Sequence, residues 1–152
     1  MKKITVGITG ASGAIYGIRA VQMLKDAGVE THLVTSEAAG LTMALETDYD
    51  LESVRGLADH NHDNKDIGAS IASGSFGMDG MVIAPCSMRT LGAIANSLAD
   101  NLIVRAADVT LKEGKPLILV VRETPFHRGH IRLLDLAAKA GAIIFPPVPA
   151  LY

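Results

Sequence analysis

The run Ile4-Thr-Val-Gly-Ile-Thr-Gly-Ala-Ser-Gly-Ala-Ile-Tyr-Gly17 constrains the fold more than any other part of the chain. Ile4 to Ile8 is short, apolar and rich in β-branched residues, the composition of a strand buried on both faces. Thr9 to Gly13 is a run of small residues. From there Ile15, Ile18, Val21 and Leu24 recur at helical spacing. Strand, tight glycine turn and helix follow directly. Such a turn lets backbone N–H groups approach a ligand closely, and the helix N-terminus behind it attracts a phosphate.

Spacing narrows the ligand. Gly7, Gly10 and Gly13 follow G-x-x-G-x-x-G rather than the dinucleotide pattern G-x-G-x-x-G. Thr9-Gly10 is shared with short-chain dehydrogenases, but no tyrosine here is followed four residues later by lysine. The second strand, Glu30 to Val34, leads into Thr35-Ser36, where a dinucleotide site carries an acid for the ribose. Hydroxyls suit a phosphate or a polyol chain. No G-x-x-x-x-G-K-[ST] is present, which argues against a nucleoside triphosphate. A mononucleotide such as FMN fits best.

The remaining elements alternate. Ser36 caps a helix through Ala44, and Leu51 to Leu57 forms a further helical turn. Asp59 to Asp66 reads as a polar loop despite His60-x-His62, a pattern that also occurs in metal clusters. Gly68 to Gly77 is a small-residue loop expected to close over the ligand or a neighbouring subunit. Gly80 to Ala84 is a strand broken by Pro85-Cys86-Ser87, followed by helices over Thr90–Ala95 and Asn101–Glu113. Leu117 to Val121 is a strand, Gly129 to Ala140 a helix, and Ala142 to Phe145 a fifth strand. Alternation of this kind predicts an α/β, Rossmann- or flavodoxin-like doubly wound parallel sheet in three α/β/α layers, forming one flavin-binding domain over residues 1–152. A fold of this class places another helix after strand five, so a C-terminal helix or tail is expected beyond Tyr152. Ligands in such sheets sit beyond the carboxyl ends of the strands. Thr9–Gly13, Thr35-Ser36, Pro85–Thr90, Arg122-Glu123 and Pro146–Tyr152 all fall there.

Composition excludes several alternatives. The 152 residues carry a net charge of −2, so there is no basic footprint for nucleic acid. Apolar residues make up 49% and mean hydropathy is +0.30, yet no run approaches membrane-spanning length. A chain this apolar and poor in charge is expected to bury surface between subunits. One cysteine, Cys86, precludes an internal disulfide and fits a reducing cytoplasm; without a nearby base it reads as a packed, inert thiol.

Several segments in order resemble the flavin prenyltransferases, the UbiX-like family. They are Thr9-Gly-Ala-Ser-Gly-Ala-Ile-Tyr-Gly17, Glu46-Thr-Asp48, Ser73-Gly-Ser-Phe76, Pro85-Cys-Ser87 with Thr90, Arg105-Ala-Ala-Asp-Val109, Leu111-Lys-Glu113, Val121-Arg-Glu-Thr-Pro125 and Pro147-Val-Pro-Ala-Leu-Tyr152. The resemblance implies transfer of a dimethylallyl group from dimethylallyl phosphate to reduced FMN without a metal. The product, prenylated FMN, would serve a UbiD-like aromatic-acid decarboxylase. A homo-oligomer, a dodecamer built from trimers, is also implied. Gly10, Ala11, Ser12, Ser36, Ser87, Met88, Arg89, Thr90 and Arg122 would hold FMN. Ser12 would lie near the reactive flavin nitrogen, Glu46 would accept a proton there, and Glu123 would assist the leaving phosphate. Lys112 and Tyr152 would bind the prenyl phosphate, with a further basic ligand placed beyond Tyr152 in other members. Leu151 stands where the family pattern has an aromatic residue.

Two other classes share parts of this pattern. Flavin-dependent decarboxylases of peptidyl cysteine resemble one another in a Pro-Ala-Ser-Ala-Asn-Thr signature. Here the run is Pro85-Cys-Ser-Met-Arg-Thr90, without the asparagine. An FMN-binding aromatic-acid decarboxylase, or its non-catalytic flavin-carrying subunit, would share the FMN loops. The non-catalytic subunit would have no need of Glu46, Lys112 and Glu123.

Overall fold

The computed structural model describes residues 1–152. Six parallel strands form one sheet in the order β3-β2-β1-β4-β5-β6. They are β1 (Lys3–Ile8), β2 (Glu30–Thr35), β3 (His60–Asp63), β4 (Gly80–Cys86), β5 (Leu117–Val121) and β6 (Ile143–Ile144). The helices are α1 (Ala14–Asp26), α2 (Glu37–Glu46), α3 (Leu51–Arg55), α4 (Met88–Ala95), α5 (Leu102–Lys112) and α6 (Arg128–Lys139). Strand order reverses between β1 and β4, which opens a crevice at the strand ends there.

Both faces are buried, as near-continuous apolar strands require. On one face Val6, Ile8 and Leu33 pack against Ala14, Ile18 and Val21 of α1, Met43 of α2 and Val54 of α3. On the other, Val34, Met81, Ile83, Leu117 and Leu119 pack against Leu91 of α4, Leu102 and Ile103 of α5 and Ala137 of α6. The three-layer α/β architecture expected from the sequence is therefore the one observed.

Two expectations are corrected. The polar stretch around His60 is not a loop but the edge strand β3, paired in parallel with β2 from His32↔His60 to Thr35↔Asp63. Asn and Asp disfavour strands; backbone pairing, the fixed Asp59 carboxylate and side-chain bonds from His60, Asn61 and His62 hold this one. Asp59 accepts from the Thr31 N–H at 2.8 Å and the Thr31 hydroxyl at 3.0 Å. The Gly68–Gly77 segment is not a plain small-residue loop. It winds through two 3-10 turns, Ser70–Ala72 and Gly74–Phe76, and buries Ile71 and Ala72 in the α5-side core.

Candidate active site

A cleft of about 1070 Å³ opens at the carboxyl ends of β1, β2, β4 and β5. Gly10, Ala11, Ser12, Ser36, Ser87, Met88, Arg89, Thr90, Arg122 and Glu123 all line it, although they come from four separate loops. The strand-end argument located these residues correctly.

Three helices begin at this cleft. The Ser36 hydroxyl caps α2 by accepting from the Ala39 N–H at 3.1 Å. The Ser87 hydroxyl caps α4 by accepting from the Thr90 N–H at 3.2 Å. Asn101 caps α5 by accepting from the Val104 N–H at 3.0 Å. All three capping residues line the cleft. Their unpaired N–H groups and aligned dipoles make the floor electropositive before any side-chain charge is added. Arg55, Lys65, Arg89 and Arg122 add cations around the wall, facing the acids Glu37, Asp63, Asp100 and Glu123.

Close approach explains the first loop. A Cβ on Gly10 would lie 2.5 Å from the Cβ of Ala38, so only glycine lets this turn lie on the start of α2. Gly13 has φ +104°, in the left-handed region that favours glycine, and is the N-cap of α1. Having no side chain, it leaves α1 uncapped from within. Glu46 at the end of α2 supplies the cap instead, accepting from the Gly13 N–H at 2.8 Å and the Ala14 N–H at 3.3 Å. The Gly13 amide, with lesser help from the Ser12 hydroxyl, the Ala14 amide and the Arg122 charge, holds the Glu46 carboxyl below its ordinary value. Glu46 does not line the cleft itself but borders it through Ser12. Its capping of α1 was missed in sequence, because no local pattern links residues 33 positions apart. Ser12, for its part, is not the α1 N-cap; its hydroxyl is turned to Glu46 at the cleft wall.

Thr9, buried behind the cleft, ties the loops together. Its hydroxyl donates to the Pro85 carbonyl at 2.7 Å and accepts from the Ser87 N–H at 2.9 Å. Cys86 is buried beside it, and desolvation pushes its thiol up to about 12, so it is inert as read from the sequence.

Lys112 and Tyr152 are not brought to the cleft of their own chain. α5 starts at the cleft and runs away from it; its 11 residues put Lys112 about 16 Å distant, toward the amino ends of the strands, just ahead of β5. There Lys112 pairs with Glu113 at 2.5 Å. Tyr152 is fully exposed, beyond a segment in which Pro147, Val148 and Pro149 lie near Tyr16 and Ala20 of α1.

The cleft fits a phosphorylated mononucleotide with room for a second small substrate, since ligand pockets span about 300–1,000 Å³. The Flavoprotein family model matches residues 1–148. The chain is 60% identical to the flavin prenyltransferase UbiX of Escherichia coli K12, over all of this chain and 81% of that protein. It is 57% identical to flavin prenyltransferase UbiX of Thauera aromatica over 99% of this chain and 77% of that one. The crystal structure of AnUbiX (PadA1) in complex with FMN and dimethylallyl pyrophosphate superposes with a TM-score of 0.98 at 50% identity, covering 99% of this chain and 80% of that one. A dodecameric FMN-dependent UbiX-like decarboxylase from Escherichia coli O157:H7 superposes with a TM-score of 0.96 at 47% identity, over 99% and 82%. With its glycine turn, three helix N-termini and Arg122-Glu123 pair at one strand edge, the chain belongs to the UbiX flavin prenyltransferase family.

Proposed function

We propose that the chain transfers a dimethylallyl group from dimethylallyl phosphate to reduced FMN, and that the product serves a UbiD-like decarboxylase. The observation that carries this reading is the meeting of the α2, α4 and α5 N-termini with Arg122 and Glu123 in one cleft. One end of the cleft is built for a phosphate, and a cation and a carboxyl stand beside it on the end of β5.

Gly10, Ala11, Ser12, Ser36, Ser87, Met88, Arg89, Thr90 and Arg122 hold FMN in this proposal. Bound reduced FMN supplies the nucleophilic ring atoms that accept the prenyl group. The chain's own work is at the donor. When the allylic C–O bond breaks, its electron pair goes to the phosphate oxygen, and Arg122 neutralises the growing charge. Glu123 gives a proton to that oxygen. Glu46 takes up the proton released on the flavin side through Ser12. Held ionised, Glu46 is a ready but weak acceptor, and its exposure lets it pass the proton to water.

Lys112 enters this scheme from a neighbouring subunit, because its own cleft is out of reach. Tyr152 is assigned to the donor site on the same grounds. A homo-oligomer, on the pattern of the dodecameric relative, supplies both. Exposed apolar side chains support such assembly: Leu41 and Leu45 of α2 stand on one helix face, with Ile15 and Tyr16 of α1 also exposed. No helix is long and apolar enough to cross a membrane, and the lone buried thiol agrees with a cytoplasmic setting.

The test is to incubate the purified chain with reduced FMN and dimethylallyl phosphate and to weigh the bound flavin. A gain of one five-carbon unit supports transfer. Unmodified flavin with intact donor, or release of CO₂ from an aromatic acid instead, favours the decarboxylase or flavin-carrier alternative.

A further inference from the structure

Three histidines and a glutamate meet on the α5-side face of the β2–β3 edge, outside the flavin cleft. Glu30 and His32 are two apart on β2 and so share a face. His60 lies directly opposite His32 in register, and His62 lies opposite Val34. The Nε2 atoms of His32 and His60 stand 3.0 and 3.3 Å from the same oxygen, Oε1 of Glu30. One ligand atom from each of Glu30, His32 and His60 lies within 4.8 Å of the others. His32 is buried and its second ring nitrogen, Nδ1, stands 2.9 Å from Nε2 of His62.

We propose that Glu30, His32 and His60 form a site for a divalent transition metal of the zinc type. Two imidazole nitrogens and one carboxylate oxygen form a donor set suited to Zn²⁺, Co²⁺ or Ni²⁺, with water completing the coordination. Metal-ligating histidines characteristically bond a partner through their other nitrogen, which fixes tautomer and ring orientation. His62 is that partner for His32: without metal, the Nε2–H of His32 donates to Glu30 and its Nδ1 accepts from the Nε2–H of His62, whereas an ion bound between Glu30 and His32 takes the place of the Nε2 proton and Nδ1–H then donates to His62. The charges facing the cluster include those of Lys3, whose ammonium rests 4.7 Å from the Phe76 ring centroid, of Asp66 and of Asp59 beside His60.

Most of the site is already in place. Phe76 packs edge-on against His32, 5.4 Å between centroids, and Asp59 pins β3 to β2 one residue before His60. His60, with half of its side chain exposed, is the ligand free to turn inward and the route by which an ion enters. The ring of His60 is stacked on that of His32 at 4.5 Å, so only a modest rotation brings the two nitrogens to one ion. The site lies about 10 Å back along β2 from Thr35 at the cleft wall, so metal there acts as a clamp on the polar edge strand rather than on substrate.

Tag-free protein is titrated with Co²⁺ alone at neutral pH and the visible absorption followed, with Zn²⁺ then added as competitor. One Co²⁺ per chain, displaced by Zn²⁺, is expected, and Zn²⁺ should raise the unfolding midpoint. His60→Val removes a ligand but keeps a residue suited to an edge strand. It should abolish saturable one-per-chain binding and the Zn²⁺-induced midpoint rise while leaving FMN affinity unchanged. His62→Ala should weaken Co²⁺ by about 10- to 100-fold. Glu30→Gln, close in shape to the parent, is the second ligand variant and decides the matter if His60→Val also loses FMN binding. Absence of saturable Co²⁺ binding in the parent, or unchanged affinity in the folded ligand variant, overturns the proposal.

Discussion

The Ser87 backbone N–H donates to the Thr9 hydroxyl at 2.9 Å, and that hydroxyl donates in turn to the carbonyl of Pro85 at 2.7 Å. Residues 78 positions apart are thereby joined, and the first and third loops of the cleft become one rigid wall. Pro85 interrupts the β4 ladder because it has no N–H, and the register shifts between Ile83 and Cys86. That shift is on the β5 side; on the β1 side the Thr9 N–H still donates to the Pro85 carbonyl at 3.3 Å, and the Thr9 hydroxyl adds the second bond and reaches on to Ser87.

Thr9→Val keeps the shape and removes both bonds. With the site buried, it strands the Ser87 N–H, while the Pro85 carbonyl keeps the Thr9 N–H at 3.3 Å, and should cost about 1–3 kcal/mol of stability. FMN should bind more weakly, since the Ser12 and Ser87 loops lose their fixed spacing. Denaturant unfolding and flavin titration measure the two effects. Parent-like values in both would mean that the loops are held by other contacts.

Glu46 caps α1 with an ionised carboxylate, and acid should release it. Its proton affinity is lowered on folding from an ordinary value of 4.5, chiefly by the Gly13 amide. The folded chain therefore gains stability from the charge above that value, and loses it as pH falls through the lower folded value. Glu46→Gln should lower stability near neutrality by about 0.3–1 kcal/mol, the range for a charge at an exposed helix N-terminus. The gap between parent and variant should close as the pH drops below 4.5. Equilibrium unfolding at a series of acidic pH values checks this, and a gap independent of pH would remove the charge from the explanation.

Arg122 and Glu123 are adjacent on the end of β5, and both line the cleft. Their variants should nevertheless fail differently. Arg122→Ala should weaken FMN binding, because a phosphate loses its charged partner. Glu123→Gln keeps shape and should bind FMN normally, while single-turnover transfer slows by about 10²- to 10⁴-fold. Parent-rate transfer in Glu123→Gln would exclude the proton-donor role.

The parallel sheet and the ring of loops were legible because buried strands and helix starts leave local signatures. Val6, Ile8 and Ser36 announce themselves by type and position. β3 was not legible: His60, Asn61, His62 and Asp63 are poor strand formers, and only their pairing to β2 makes them one. The histidine cluster was hidden for the same reason, since His32 joins His60 only across that ladder. The buried Ile71 and Ala72 were masked by the glycines and serines around them. Lys112 shows a different limit. Its motif is local, but its distance from the cleft depends on the direction of α5, which no motif records.

That direction leads to a prediction about assembly. Lys112 stands at the far end of α5 with half of its side chain exposed, so it can serve a cleft only in another copy of the chain. Lys112→Ala alone should fold and bind FMN as the parent does, because the residue touches neither core nor cleft. It should nonetheless transfer the prenyl group poorly, having lost a charge near the departing phosphate. The decisive measurement mixes it with Glu123→Gln. In oligomers assembled at random from equal amounts, about a quarter of the clefts combine an intact Glu123 with a neighbour's intact Lys112. Transfer should recover to about that fraction of the parent, although each variant alone is impaired. If Lys112 acted within its own chain, every cleft would carry one defect or the other. No recovery on co-assembly would then be seen, and the assignment of Lys112 to a neighbouring site would be wrong.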